Sequence, residues 1–200
     1  MSAGTQDDPS LMLNPLADRR PIFSIDAHDR LVFVNAAWLE FMYPEQQHCD
    51  PELFLGRSWW EFVERGQVRQ LWALLYQRVR GICAPVFVPM RADTATQRRL
   101  IDIELQPQHE GVIQHVCERV WSETRAAVAL LDPTHPRDDR DLRCCAWCKR
   151  VQVHMGRWEE IEDAQLLLGI DHAPTLPKLL TDVCTTCKQS LLKTFPARVA

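Results

Sequence analysis

Apolar positions along the chain first fall into order at Pro21. Ile22, Phe23 and Ile25 form a short apolar run, Asp26-Ala27-His28-Asp29 supplies turn residues, and Leu31 to Val34 form a second run, which predicts a β-hairpin. Asn35 stands directly before AAWLEFM, where its side chain can accept from the free N–H groups that open a short helix. After a loop through Pro44 and Pro51, GRSWWEFV leads into Val68, Leu71, Trp72, Leu75 and Val79. These recur at helical spacing with Arg69, Gln70 and Arg78 falling between them, and Gly81 is the expected stop. Three strands follow: Val86 to Met90, then Ile101, Ile103 and Leu105 alternating with Asp102 and Glu104, then Val112 to Trp121. Two strands, helices and three more strands with short connections imply an α+β domain with helices on one face of an antiparallel sheet.

The periodicity then weakens. TRAAVALL is expected to carry the last strand into a short helix, and DPTHPRDDRD has the proline and charge content of a solvated linker. Further on, Trp158, Ile161, Ala164 and Leu168 follow a helical face that Gly169 ends, and Cys184, Cys187 and Leu191 fall at i, i+3 and i+7 of another helix. Residues 1–20 are polar apart from Leu11, Met12, Leu13 and Leu16, and suit a flexible segment or cap. The expected organisation is thus an N-terminal segment over 1–20, a sheet domain over 21–121, a connector over 122–142 and a small, mainly α module over 143–197.

Composition narrows the class. With 200 residues, 46% of them hydrophobic, and a formal net charge of -4, the chain fits a globular domain plus a small module. No apolar run approaches the ~20 residues of a membrane helix, and MSAGTQDDPS has neither a basic nor an apolar leader region. The expectation is a cytoplasmic protein without a membrane partner. Intermixed charges give no clustered basic surface, so nucleic acid is not expected either.

The eight cysteines change the picture most. Cys49, Cys83 and Cys117 are scattered, whereas Cys144, Cys145, Cys148, Cys184 and Cys187 lie close to the C-terminus and include two C-x2-C pairs. About 35 residues separate the pairs, longer than in a common zinc ribbon but compatible with an inserted helix. A knuckle at Cys145 and Cys148, with a helix N-terminus carrying Cys184 and Cys187, can present four sulfurs to zinc at ~2.3 Å. Lys149, Arg150 and Lys188 adjoin the pairs and would offset surplus thiolate charge. Cys144 is left outside the coordination sphere, and His154 and His172 are only substitutes for a set that four cysteines already complete. So small a module has little core of its own, and structural zinc supplies ~10–16 kcal/mol in small domains.

Two resemblances rest on these residues. IFSIDAHDRLVFVNAAWLEFM, with Asp26 and Asn35 in its hairpin, then GRSWWEFV, the long helix and the three strands through Trp121 resemble a PAS domain over about half the chain. That resemblance implies a five-stranded antiparallel sheet with a helical flank, used in sensory and regulatory proteins to bind ligands and to dimerise. The segment from about Arg143 to Pro196 is similar to a cysteine-rich module appended to sensor domains of bacterial signalling proteins, matching at Cys145, Cys148, Gly156, Trp158, Cys184, Cys187, Phe195 and Pro196. It departs from that pattern where the family has His-Gly before the second pair and Pro after its first cysteine; here Thr181-Asp182 and Thr185 stand there.

The cofactor candidates in the sheet domain are His115, Cys117, Trp59 and Trp72. Flavin-binding light sensors of the family carry a reactive cysteine after G-R-N, and GRSWW puts Trp59 at that place, which argues against flavin photochemistry. Haem-binding members commonly use a histidine of the long helix, and Gly66 to Arg80 has none. His115 and Cys117 alternate onto one strand face and can ligate a metal. The simpler reading makes them a hydrogen-bonded core histidine and a buried thiol, with Trp59, Trp60 and Trp72 filling core.

The function that follows is a signalling or regulatory protein whose PAS part senses a ligand or forms a homodimer and whose zinc module docks a partner protein. The alternatives are a thiol-based redox sensor that releases zinc on oxidation and a haem-binding sensor. Catalysis is not expected, because four cysteines close the zinc shell and a linker, rather than a strand, is expected before Cys145.

Overall fold

The computed structural model describes residues 15–16, 18–43 and 49–193. Leu11, Met12 and Leu13, and the Phe195-Pro196 pair, lie outside the described residues. The expected hairpin forms from β1 (Ile22–Ile25) and β2 (Leu31–Val34). Its turn is held by Asp26, whose Oδ1 accepts from the N–H groups of His28 and Arg30, both at 2.8 Å. Asn35 caps α1 (Ala36–Met42) by accepting from Trp38 N at 2.9 Å, and the same oxygen accepts from Ile22 N at 2.9 Å. Its amide nitrogen donates to the carbonyls of Pro15, Asp18 and Arg20. One buried side chain thus ties together the incoming chain, the first strand and the first helix.

The long helix α2 spans Gln67–Ile82 and runs through Gly81, the expected stop. It ends instead at Cys83, whose left-handed φ of 50° lets its N–H return to Val79 O. Strands β3 (Val86–Arg91), β4 (Gln97–Pro107) and β5 (Ile113–Thr124) complete an antiparallel sheet in the order β2-β1-β5-β4-β3. Its core is aromatic: Trp38 and Tyr76 are each 1% exposed and pack with Phe23, Phe54, Trp59 and Trp72. Arg80 in the last turn of α2 locks two turns, donating to Asp26 O, Asp29 Oδ1 and Gly111 O. The five-stranded antiparallel sheet and helical flank implied by the resemblance are both present.

Beyond β5 the structure departs from expectation. A 3-10 turn at Ala129–Leu131 sets Leu130 in a second core, and residues 137–142, expected within a connector, begin β6 (Arg137–Cys145). Two short strands, β7 (Val151–Gln152) and β8 (Trp158–Glu159), then α3 (Ile161–Leu167), β9 (Leu176–Asp182) and α4 (Thr185–Lys193) follow. The strands form a mixed sheet in the order β8-β7-β6-β9, with β6 and β9 parallel. The module is therefore not mainly α, and Trp158 belongs to a strand rather than to the helix it was expected to open. The physical reason is that β6 buries only Leu142, Cys144 and Cys145 while its Asp and Arg side chains lie at the surface, form ion pairs or fasten backbone. Arg137 is the clearest case, donating to the carbonyls of Leu130, Asp132 and Pro177.

Candidate metal centre

Strand alternation separates Cys144 from Cys145. Cys144 points into the second core with Leu142, Val151 and Ile161, whereas Cys145, fully buried, joins the core of the first domain. After Cys145 the chain makes a tight turn: Lys149 N–H donates to Cys145 O at 3.0 Å, Cys145 N–H to Arg150 O at 2.8 Å, and Lys149 takes a φ of 60°. This knuckle carries Cys148. Cys184 immediately precedes α4, and its sulfur accepts from Cys187 N at 3.4 Å as a cap of the first turn. Cys184 N–H in turn donates to Cys145 Sγ at 3.3 Å.

The two pairs meet. The Sγ atoms of Cys145, Cys148, Cys184 and Cys187 all lie within 4.8 Å of one another, the four residues expected from the C-x2-C spacing. Cys148 Sγ and Cys184 Sγ are 3.7 Å apart. A tetrahedral zinc with Zn–S of ~2.3 Å requires S···S edges of ~3.8 Å. The separation is far outside the ~2.05 Å of a disulfide. The donor set and its spacing therefore fit a soft, tetrahedral divalent ion such as zinc, with N–H···S bonds orienting the sulfurs.

Electrostatics concentrates charge on one sulfur. Hydrogen bonds from the Cys148 and Cys187 thiols drive Cys145 well below the ordinary thiol value against the opposing cost of burial, and backbone N–H groups of Cys184 and Cys148 assist. As donors of those hydrogen bonds Cys148 and Cys187 hold their protons in the metal-free cluster, which pushes Cys148 up to about 12 and Cys187 higher still; a bound divalent ion would displace both protons and leave thiolates. Arg150, ion-paired with Glu160 at 3.0 Å, is raised by that partner and by the nearby Cys148 and Cys184. Lys188 instead donates to Gln67 Oε1 at 3.0 Å. His154 and His172 stand outside the four-sulfur group; the His172 side chain is 95% exposed beside Asp171. A strand does precede Cys145, contrary to expectation, but the pair leads into the knuckle and β7 rather than into a helix.

The candidates in the sheet domain are brought together as packing. His115 is fully buried, its ring stacked on Phe23 at 4.0 Å between centroids and its Nε2 hydrogen-bonded to Tyr76 Oη over 3.0 Å. Burial pushes His115 down to about 3, so its imidazole is neutral, and pushes the Cys117 thiol up to about 12. Trp59 stacks on Phe23 at 4.5 Å, and Trp72 lies 5.7 Å from Tyr76.

Sequence reasoning missed Trp147, which sits between the two cysteines of the knuckle. It is 3% exposed and enters the core of the sheet domain. The available signal was an indole inside C-A-W-C, a large apolar side chain on a tight knuckle that has to be buried against something outside it. Also missed was the ion lattice at the junction. Arg98 and Arg125 bind Glu162, Arg125 reaches buried Asp93 at 3.4 Å, and Arg91 bridges Asp93 and Glu160.

No protein family and no curated protein matches the sequence. Solved PAS-domain and sensory-box structures align with about half of the chain. A domain of the sensory box sensor histidine kinase/response regulator from Geobacter sulfurreducens is 17% identical, with a TM-score of 0.38, over 52% of this chain and 86% of that one. The PAS domain of Bordetella pertussis BvgS is 15% identical, with a TM-score of 0.35, over 52% and 74%. A sensory box sensor histidine kinase from Vibrio cholerae is 16% identical, with a TM-score of 0.34, over 58% and 90%. The chain joins a PAS-like antiparallel sheet to a mixed sheet that carries a four-cysteine cluster. Among the described residues no helix is long and apolar enough to cross a membrane.

Proposed function

We propose that the chain is a non-catalytic regulatory protein of signal transduction in which a PAS-type domain and a zinc-stabilised module work as one unit. The observation that carries this reading is the placement of Trp147: the residue between two proposed zinc ligands is seated in the core of the sheet domain, against Trp72. Zinc held by Cys145, Cys148, Cys184 and Cys187 fixes the knuckle, and the knuckle fixes part of the sensor core. A change in either domain is thereby felt in the other, as a sensor coupled to an output surface requires. Output is through contacts with a partner protein, and the sheet domain forms the homodimer that the sequence resemblance implies. The four-sulfur shell leaves no coordination position for a substrate, which supports a structural metal rather than a catalytic one.

The test uses the full chain. Purified protein is expected to carry a single zinc ion and to sediment as a dimer. Removing the metal with a chelator is expected to raise amide exchange both in the mixed sheet and in α2 around Trp72. Exchange confined to residues 143–193 would overturn the coupling, and metal-free protein with unchanged exchange throughout would overturn the structural role of zinc.

A further inference from the structure

The four sulfurs are not equally reachable. Cys145 and Cys184 are buried, at 0% and 2% exposure, while Cys148 and Cys187 are partly exposed. Cys148 and Cys187 line one groove of about 250 Å³, where the edge strand β3 meets the knuckle and α4. Its other walls are mainly apolar: Phe87, Pro89, Met90, Leu100, Trp147 and Leu191. Pro89 offers no N–H along this edge, and Arg91 N–H is already taken by Trp147 O at 2.7 Å, so an added strand is not what the groove is shaped for. An apolar groove with two adjacent nucleophilic sulfurs in its lining suits a small apolar molecule that reacts with thiolate.

From this geometry we infer that Cys148 and Cys187 are a selective oxidation site for organic hydroperoxides, which reach them through the β3–α4 groove and thereby release the metal. The inference rests on the zinc reading above. One thiolate sulfur attacks the terminal oxygen of the hydroperoxide; the S–O bond forms, the O–O bond breaks, and the alkoxide leaves and takes a proton from water. The second thiolate then attacks the sulfenic sulfur, forming the Cys148–Cys187 disulfide and expelling hydroxide, which is protonated to water. Two electrons pass from the sulfurs to the peroxide oxygen, two protons are consumed, and zinc, left with two ligands, departs. Cys145 and Cys184 remain reduced because the groove does not expose them. The new bond draws the knuckle towards α4 and displaces Trp147, so the apolar oxidant would be read by the sensor core.

The experiment takes the zinc-loaded 200-residue chain, follows zinc release with a chromogenic chelator, and maps disulfides by mass spectrometry during titration with cumene hydroperoxide or hydrogen peroxide. The expected result is a Cys148–Cys187 disulfide, free Cys145 and Cys184 thiols, and faster zinc release by cumene hydroperoxide than by hydrogen peroxide. Ser190, exposed on α4 at the groove wall, is changed to Trp to narrow the groove without touching a ligand. Ser190→Trp is expected to slow the cumene hydroperoxide reaction by about tenfold and leave the hydrogen peroxide rate unchanged. Disulfides involving Cys145 or Cys184, or equal rates for the two oxidants, would overturn the groove proposal while leaving the zinc site standing. Protein purified without zinc would overturn both.

Discussion

The indole of Trp147, carried by the cysteine knuckle, stacks on Trp72 of the long helix with 5.8 Å between ring centroids and 29° between their planes. Trp72 in turn lies 6.5 Å from the His115 ring, so three residues lead from the four-cysteine cluster to the centre of the sheet domain. The second module has a core of its own around Leu130, Val151 and Ile161, yet Cys145, Ala146, Trp147, Val183, Cys184 and Leu191 leave it and pack with the aromatic core of the first domain. The relationship makes the knuckle a structural part of the PAS-like domain.

Trp147→Ala is therefore expected to behave as a large-to-small substitution in a core, costing about 3–5 kcal/mol of global stability. Urea unfolding with zinc bound measures it. A loss below about 1 kcal/mol would show that the indole merely rests against the domain surface.

Adjacent thiols should separate in their effect on metal. Cys145→Ala removes one of the four proposed ligands and is expected to lower zinc affinity by more than the ~10–100-fold typical of losing an outer-shell partner. Cys144→Ala, in the other core, should keep full zinc stoichiometry and lose only packing. Competition with a chelator of known affinity compares them; matching losses would place Cys144 in the shell.

The charged junction makes its own prediction. The Asp93 carboxyl has 0% side-chain exposure, binds Arg91 and lies 3.4 Å from Arg125. Although burial opposes ionisation, the Arg91 hydrogen bond, Arg99 N–H and the two guanidinium charges hold its pKa below the ordinary carboxylate value. Asp93→Ala leaves Arg91 and Arg125 with only Glu160 and Glu162 as counter-charges and strips a buried partner from the lattice, and is expected to cost about 3 kcal/mol. Thermal unfolding should show the loss; a change within experimental error would mean that Glu160 and Glu162 alone satisfy both arginines.

How far these features could be read beforehand depended on whether a side chain announces its environment. The hairpin was legible as two short apolar runs, Ile22–Ile25 and Leu31–Val34, around turn residues; α2 because Val68, Leu71, Trp72, Leu75 and Val79 repeat at helical spacing; and α1 because Asn35 has a cap's chemistry. The four-cysteine cluster was legible because C-x2-C spacing encodes geometry directly. Strand β6 was hidden: Asp138, Asp139, Arg140 and Asp141 make it read as solvated chain, while its pairing partner β9 lies more than thirty residues away and is parallel to it. A strand specified by a distant neighbour, with few inward side chains, carries little periodic signal. Trp147 was hidden for a related reason, since its core is supplied by another domain.

The buried imidazole gives the pH prediction. His115 is held down to about 3 in the folded protein against an ordinary value of 6.5, chiefly by desolvation. The unfolded chain therefore binds a proton below pH 6.5 that the folded chain refuses, so the His115 contribution is fully present above about 6.5 and is lost as pH falls towards 3. At pH 5 the loss from this one group amounts to about 2 kcal/mol. Acid also protonates the cysteine ligands, so the measurement is the difference between wild type and His115→Gln, in which metal loss is common to both. The stability gap is expected to narrow by about 2 kcal/mol between pH 7 and pH 5. Parallel curves over that range would mean that the imidazole takes up its proton in the folded state, and that the Phe23, Trp59 and Tyr76 cage admits water.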